Sequence, residues 1–124
     1  MPRIMIVDDV ASIRQIVTKV FQDVGYQVTE AARGDEALDL AKLKRVHLVI
    51  TDVEMPGMNG FDLTRAVRAH PEMANLPVVI LTSKASAEDH QEGLDAGADA
   101  YIVKESFGET TLLAAVEALL GRVL

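Results

Sequence analysis

Three acidic residues follow short apolar runs that have the character of buried strands. Asp8 and Asp9 come directly after the apolar residues 4–7, and Asp52 comes directly after the run LVIT. Adjacent carboxylates repel each other, so a pair of them at the end of a buried strand requires a nearby positive charge. Oxygen ligands without histidine or cysteine favour Mg²⁺, which keeps several of its waters, with Mn²⁺ as the alternative metal.

A hydroxyl group and an ammonium group follow two further apolar runs. Thr82 comes after VVIL, and Lys104 comes after AYIV. With Mg²⁺, a carboxylate, a hydroxyl and a lysine are groups that phosphoryl transfer uses, because they offset or bind the charged phosphoryl oxygens. A carboxylate can itself be the nucleophile and form an aspartyl phosphate. Asp52 is the best candidate, since it stands alone at the end of a central strand.

Each of these residues also has an ordinary structural interpretation when it is considered alone. An aspartate ahead of a helix is usually an N-cap, a threonine at a strand end usually has no special role, and a lysine there is usually solvated. The functional interpretation depends on the set, because four different strands bring compatible groups to one edge of a sheet.

Apolar runs and helical patterns alternate along the chain. This pattern predicts an α/β fold in which helices cover both faces of a parallel sheet, and ligands of such sheets bind beyond the carboxyl ends of the strands. The predicted strands are residues 3–7, 27–31, 47–51, 77–81 and 99–103. The first predicted helix follows Ser12. The next three span residues 35–44, 60–69 and 86–96, and the last begins at residue 109.

The fourth predicted helix has the weakest apolar face. Between Ala87 and Ala96 only Leu94 is large and apolar, and Ser86 with Asp89 resembles a capping box. Two interpretations stay open for this segment. It is either an ordinary exposed helix or an element that shifts when the neighbouring site changes state.

The composition of the chain argues against several classes of protein. The chain has 124 residues, 49% of them hydrophobic and 25% charged, which suits one globular domain. It has no cysteine and a net charge of −7, which argue against a disulfide framework and against nucleic-acid binding. No apolar run is long enough for a membrane span and no signal peptide is recognisable, so we expect a cytoplasmic protein.

Five motifs are distributed along the chain: VDD at 7–9, DVEMPGMNG at 52–60, LTSKA at 81–85, GADAYIVK at 97–104, and Phe107. Together they resemble the receiver domain of two-component response regulators, in particular the chemotaxis regulators. The resemblance covers essentially the whole chain and implies one receiver domain over residues 1–124. It also implies a doubly wound, three-layer, flavodoxin-like fold with five parallel strands in the order 2-1-3-4-5.

The resemblance implies a role for each acidic residue of the predicted site. Asp52 would accept a phosphoryl group from the phosphohistidine of a histidine kinase or a histidine phosphotransfer domain. Asp8, Asp9 and Asp52 would hold Mg²⁺ together with the backbone carbonyl of Glu54.

The resemblance also implies how the switch works. Thr82 and Lys104 would bind the phosphoryl oxygens, Thr82 would move inward, and Tyr101 would follow. This movement would remodel the face formed by helix 4, strand 5 and helix 5, which binds a downstream protein. The chain would then be a switch that acts only on its own aspartate rather than an enzyme. It would work in chemotaxis or motility signalling as a monomer or as a phosphorylation-dependent homodimer.

One position departs from the family pattern. The family commonly has proline after the active-site lysine, often with a cis bond, whereas this chain has Glu105. A cis bond before a non-proline residue costs about 2.5–4 kcal/mol. We therefore predict a trans Lys104–Glu105 bond and an altered loop after strand 5. The KESF segment and the DVEMP loop also resemble receivers joined to chemotaxis-type histidine kinases.

Glu54 and Lys84 each lie two residues after a predicted site residue, so both should flank the mouth of the site. One hypothesis is a salt bridge between them that gates the access of water to the aspartyl phosphate. The alternative is two unrelated solvated charges. His47, His70 and His90 lack metal-ligand spacing, and we assign them no role in the site.

Other functions stay open beside the phosphorylated switch. The chain ends soon after helix 5, so we expect either a stand-alone protein or a receiver excised from a hybrid histidine kinase. Met1 lies just ahead of strand 1, which favours the stand-alone protein. A receiver that is never phosphorylated would be a binding module. A phosphatase with an aspartyl nucleophile is disfavoured, because Glu54 stands where such enzymes usually carry a second aspartate. A flavodoxin-like cofactor carrier is disfavoured, because VDDVAS has no glycine to cradle a phosphate.

Overall fold

The computed structural model describes residues 2–106 and 108–123, and these residues form alternating strands and helices. Phe107, which contributes to the family resemblance, lies outside the described residues. The strands are β1 (Arg3–Val7), β2 (Gln27–Ala31), β3 (Leu48–Thr51), β4 (Val78–Thr82) and β5 (Ala100–Val103). The helices are α1 (Ala11–Asp23), α2 (Gly34–Lys44), α3 (Gly60–Ala69), α4 (Ala87–Ala96) and α5 (Glu109–Val123).

The strands form one parallel sheet in the order β2-β1-β3-β4-β5, which confirms the predicted topology. Val7, the last residue of β1, pairs with Thr51, the last residue of β3, so these two strands end next to each other. Thr82 pairs with Val103, so β4 and β5 end together at the same edge. The register of the sheet therefore brings the carboxyl ends of four strands together.

Helices bury both faces of the sheet. Successive residues of a strand point to opposite faces, so neighbouring residues belong to different clusters. Ile4 and Ile6 of β1 belong to a cluster with residues of α1 and α5, such as Phe21 and Leu112. Met5, between them in sequence, belongs to a second cluster with residues of α2 and α3. This burial on both faces explains why the strands read as nearly continuous apolar runs.

Most boundaries lie within one or two residues of the predicted ones. β3, β4 and β5 begin one residue later than predicted, and β4 extends to include Thr82. Pro77 stands ahead of β4 and has no N–H to donate to a neighbouring strand. α4 begins at Ala87 rather than at Ser86, because Ser86 is its N-cap.

The backbone after β5 and the lengths of the helices bear on two sequence predictions. No peptide bond between described residues is cis, which confirms the predicted trans Lys104–Glu105 bond. The chain instead forms a short 3-10 turn over Lys104–Ser106 before it enters α5. Within the described residues, no helix is both long enough and apolar enough to cross a bilayer.

Small residues form the buried face of α4. Gly93 and Ala96 are its buried residues, whereas Leu94, its one large apolar side chain, is 58% exposed. The thin apolar face predicted for this helix is therefore confirmed, but Leu94 contributes little to it. Ser86 is the N-cap of α4, but the predicted capping box is only half formed, because the Ser86 N–H does not donate to the Asp89 carboxylate. Ser86 Oγ accepts from the Asp89 N–H at 3.1 Å and donates to Asp89 Oδ2 at 2.7 Å.

Candidate functional site

Three carboxylates meet at the carboxyl edge of the sheet. One oxygen from each of Asp8, Asp9 and Asp52 lies within 4.8 Å of the other two. Asp8 and Asp52 are buried, with 5% and 8% exposure, and Asp9 is exposed to solvent. The structure thus brings together the three side chains that the sequence predicts to hold a metal.

Lys104 is the positive charge that faces two of these carboxylates. Its Nζ lies 3.2 Å from Asp8 Oδ2 and 3.2 Å from Asp52 Oδ2. Burial opposes the charged ammonium, but the carboxylates of Asp52 and Asp8 together outweigh it and raise the pKa of Lys104. One ammonium against three carboxylates leaves two negative charges without a partner. A divalent cation with a preference for oxygen ligands fits this donor set.

The backbone around Asp52 holds its carboxylate in place. The Val53 N–H donates to Asp52 Oδ1 at 2.7 Å, and Thr51 Oγ1 donates to the Asp52 carbonyl at 2.8 Å. The Gly60 N–H donates to the Val53 carbonyl at 3.0 Å, which ties the start of α3 to the end of β3. A Cβ at Gly60 would overlap the Asp52 carbonyl, so this close approach requires glycine.

Arg14 supports the site in a way that the sequence analysis missed. Its Nη1 donates to the Asp8 carbonyl at 2.6 Å, and its Nε pairs with Glu30 Oε1 on β2 at 3.0 Å. The Val10 N–H holds Asp8 Oδ1 at 2.9 Å. A positive charge close to a helix N-terminus is unfavourable for the helix dipole. The presence of Arg14 at that position in the sequence therefore indicates that this side chain makes a specific contact.

A short hydrogen-bonded chain joins Thr82 to Tyr101. The Lys84 N–H donates to Thr82 Oγ1 at 3.3 Å, and the Tyr101 hydroxyl donates to the Lys84 carbonyl at 2.8 Å. Burial, followed by the negative charges of Asp89 and Asp52, raises the pKa of Tyr101 to about 12. The Tyr101 hydroxyl therefore remains a donor at neutral pH. The backbone of Lys84 thus links Thr82 and Tyr101, the two side chains that are expected to switch.

The aromatic ring of Tyr101 lies against α4. The His90 ring is 4.2 Å from it between centroids, at an interplanar angle of 37°. A Cβ at Gly93 would lie 2.7 Å from Tyr101 Cδ2. His90 was assigned no site role because it lacks metal-ligand spacing, and its contact with Tyr101 was missed because that contact depends on how α4 packs on β5.

The ion pairs among the described residues do not include one between Glu54 and Lys84, so the expected salt bridge is not formed here. An exposed pair of long side chains gains only about 0–1 kcal/mol, which is too little to hold both of them in one geometry. Whether either charge slows hydrolysis of an aspartyl phosphate stays a prediction. The Glu54 carbonyl as a metal ligand also stays a prediction.

A family profile described as the response regulator receiver domain matches residues 4–117. The chain therefore belongs to the response regulator receiver domain family. Members of this family are signalling switches of two-component systems that bind Mg²⁺ at an acidic pocket. They interact with histidine kinases and with downstream targets.

Relatives and solved structures agree with this assignment. A gliding motility regulatory protein of Myxococcus xanthus is 41% identical over 117 residues, but these cover 94% of this chain and only 15% of that protein. The chemotaxis protein CheY-3 of Vibrio cholerae is 42% identical over 103 residues, which cover 82% of this chain and 79% of that protein. The structure of Vibrio cholerae chemotaxis protein CheY4 is similar, with a TM-score of 0.89 and 41% identity, over 96% of this chain and 98% of that chain.

Proposed function

We propose that residues 1–124 form one receiver domain in which Asp52 accepts a phosphoryl group from the phosphohistidine of a histidine kinase or a histidine phosphotransfer domain. The observation that carries this proposal is the position of Lys104 Nζ, 3.2 Å from both Asp8 and Asp52. A lysine shared by a candidate nucleophile and a candidate metal ligand is well placed to stabilise the charge on a phosphoryl group between them.

In the proposed reaction, a carboxylate oxygen of Asp52 attacks the phosphorus in line with the phosphorus–nitrogen bond of the donor. That bond breaks, its electron pair stays on the imidazole nitrogen, and the imidazole takes up a proton. The phosphoryl group becomes an acyl phosphate on Asp52, while the Lys104 ammonium and the Thr82 hydroxyl bind its oxygens. Later hydrolysis releases inorganic phosphate and restores the carboxylate.

Mg²⁺ is the proposed cofactor, held by the carboxylates of Asp8, Asp9 and Asp52 and by the backbone carbonyl of Glu54. When bound there, it supplies charge neutralisation for the phosphoryl oxygens. The protein's own contribution is preorganisation. The hydrogen bond from the Val53 N–H fixes Asp52 in advance, so less reorganisation is needed when a phosphoryl group arrives.

Phosphorylation is proposed to act through Thr82. When its hydroxyl binds a phosphoryl oxygen, the hydrogen bond from the Lys84 N–H is perturbed, and with it the bond from the Tyr101 hydroxyl to the Lys84 carbonyl. The face that responds consists of α4, β5 and α5, and it would bind the downstream partner or a second copy of the chain. The names of the relatives from Vibrio and Myxococcus favour a chemotaxis or motility pathway.

The test is the intact mass of the protein after incubation with Mg²⁺ and acetyl phosphate. We expect wild type to gain one phosphoryl group, and Asp52→Asn, which keeps the shape of the side chain, to gain none. Asp39→Asn is the matched control, because Asp39 is an exposed aspartate on α2 and should leave the gain unchanged. Chelation of Mg²⁺ should abolish the gain in wild type and in the control.

Two other outcomes separate the alternatives. If wild type gains nothing while Mg²⁺ still binds, and a panel of histidine kinases also fails to transfer a phosphoryl group, the chain is a binding module that is never phosphorylated. A gain of equal size in Asp52→Asn would place the phosphoryl group elsewhere and contradict the proposal. The residues matched in the Myxococcus protein make up only a small part of it. The proposed function is therefore also compatible with a receiver domain that is part of a larger protein.

A further inference from the structure

Tyr101 is held at both ends by residues that lie outside β5. Its hydroxyl donates to the Lys84 carbonyl at 2.8 Å. Its ring faces His90 at 4.2 Å and fits over Gly93, where a Cβ would lie 2.7 Å from Cδ2 and 3.0 Å from Cε2. We call this position of Tyr101, with its ring on α4 and its hydroxyl on Lys84, the inward position.

His90 and Gly93 lie three residues apart on α4, so they are on one face of that helix. The histidine provides a flat surface for the Tyr101 ring, and the glycine provides the space that the ring occupies. Any larger residue at position 93 would need that space. The two residues together form a cradle that matches one position of Tyr101.

The cradle is important because the buried face of α4 consists of small residues. The buried residues of the helix are Gly93 and Ala96, and Leu94 is 58% exposed. An aromatic contact at this spacing is strong enough to change a two-state ratio about fivefold, which corresponds to about 1 kcal/mol. A change of that size is enough to bias a switch whose two states are close in free energy.

We propose that His90 and Gly93 are positioning residues that hold Tyr101 in the inward position, and that His90 thereby sets the fraction of inward Tyr101 before phosphorylation. The proposal rests on the proposed function, since Tyr101 matters as the switch residue. It adds that residues of α4 set the ratio of inward to outward Tyr101 before phosphorylation. Removing the His90 ring should move the balance outward, and an added methyl group at position 93 should move it further.

Gly93→Ala separates this proposal from a general effect on α4 stability. Alanine is a better helix former than glycine, so the substitution should make α4 itself more stable. It also places a methyl group where the Tyr101 ring lies. If His90 and Gly93 only stabilise the helix, Gly93→Ala should keep Tyr101 inward. The proposal predicts that it drives Tyr101 outward.

The experiment measures the rotamer populations of Tyr101 by NMR, from three-bond couplings to its β protons. Tyr26→Phe is the background, because the chain has two tyrosines and Tyr101 then gives the only tyrosine signals. The variants in this background are His90→Ala, His90→Phe and Gly93→Ala. Gln91→Ala is the matched control on α4, because the Gln91 side chain is exposed and bonds to Asp95 rather than to Tyr101.

We expect His90→Ala to raise the outward-to-inward ratio of Tyr101 about fivefold. We expect His90→Phe, which keeps an aromatic ring, and Gln91→Ala to stay within about twofold of the background. Gly93→Ala should leave the inward position a minority. Populations that stay within about twofold of the background in both His90→Ala and Gly93→Ala would overturn the proposal.

The same samples distinguish failure of this inference from failure of the proposed function. The rotamer populations are measured without phosphorylation, so they do not depend on whether Asp52 accepts a phosphoryl group. The mass gain with acetyl phosphate is then measured in each variant. A gain with unchanged Tyr101 populations contradicts only the role of His90 and Gly93. Changed populations with no gain from acetyl phosphate or from the panel of histidine kinases contradict only the phosphoacceptor role.

Discussion

Lys104 compensates two buried carboxylates at once, which distinguishes it from the surface lysines of this acidic chain. Its side chain is 18% exposed, and those of Asp8 and Asp52 are 6% and 10% exposed. Removal of its charge would leave carboxylates crowded together with little solvent to screen them. The same crowding creates the need for a metal ion, so stability and cation binding at this edge have one electrostatic origin.

The first prediction concerns Lys104→Met, which keeps the length of the side chain and removes the charge. In metal-free buffer near neutral pH it should lower the free energy of unfolding by about 1–3 kcal/mol, because two buried carboxylates lose their partner. Urea titration measures this loss. Lys19→Met is the control, since Lys19 is 76% exposed and pairs with Asp23 on the surface of α1. An equal effect of both substitutions would contradict the prediction.

The pH dependence of this difference follows from the raised pKa of Lys104. A lysine whose pKa rises on folding stabilises the protein fully below its unfolded pKa of about 10.4, and that contribution is lost as the pH rises through the folded pKa. The difference between wild type and Lys104→Met should therefore be constant through neutral pH and shrink in strongly alkaline buffer. A difference that disappears well below about pH 10 would contradict the assignment.

The second prediction concerns Thr18 on α1, the one described residue whose buried side-chain oxygen has no hydrogen-bond partner. Thr18→Val keeps the shape and removes the desolvated hydroxyl, so it should raise the free energy of unfolding by about 1 kcal/mol. Thr64→Val is the matched control, because Thr64 is also buried but its hydroxyl donates to the Gly60 carbonyl at 2.8 Å. In thermal melts, the Tm should rise for Thr18→Val and fall for Thr64→Val.

Two helices contribute to the site in different ways at the scale of secondary structure. α3 starts with a reciprocal capping box between Asn59 and Asp62, and its first residue, Gly60, packs on the backbone of Asp52 at the end of β3. α4 has only the small residues Gly93 and Ala96 as its buried face. A well-capped helix next to Asp52 and a helix with a thin buried face next to Tyr101 would suit the proposed switch, in which the chemistry is fixed and the output face moves.

The third prediction concerns Gly60→Ala. The added methyl group meets the Asp52 carbonyl, which is backbone and cannot rotate away, so the substitution should cost about 2–3 kcal/mol of unfolding free energy. Gly121→Ala is the control. Gly121 lies within α5 with open space around its Cα, so alanine there should stabilise the helix by up to about 1 kcal/mol. Calorimetric melting temperatures that change in the same direction for both variants would contradict the steric argument.

The whole molecule forms the site, because its residues come from sequence positions as distant as 8 and 104 and meet only when the sheet is complete. The unfolded chain has no such cluster of carboxylates, so a cation that binds there must stabilise the folded state. The net charge of −7 adds a general attraction for cations that does not depend on this site.

The fourth prediction is that Mg²⁺ stabilises the folded protein. At about ten times its dissociation constant, Mg²⁺ should add about 1.4 kcal/mol and raise the Tm by about 4–6 °C. Asp9→Asn should reduce this shift, because it removes an exposed carboxylate of the cluster without disturbing the core. Asp39→Asn should not. Sodium chloride at matched ionic strength measures the general charge effect, and a Tm shift of the same size in all samples would contradict a specific site.

Much of the fold and of the candidate site could be predicted from sequence because both depend on local patterns. A strand buried on both faces is a nearly continuous apolar run, and parallel strands end at one edge, so the sequence alone was enough to place Asp52, Thr82 and Lys104 at one edge of the sheet. The contact of the His90 ring with Tyr101 and the exposure of Leu94 were not predictable, and for Arg14 the sequence indicated only that a positive charge lies close to a helix N-terminus. Each depends on the rotation and position of a helix relative to the sheet.

Apolar periodicity and short motifs directly encode the alternation of strands and helices, the strand ends where charged groups appear, and the family of the chain. Which side chains touch was established by the tertiary packing. That packing places Lys104 between two aspartates, leaves Glu54 and Lys84 without a salt bridge to each other, and sets the Tyr101 ring on α4. Contacts of this kind join segments that are far apart along the chain, and no local pattern of residues records how those segments pack.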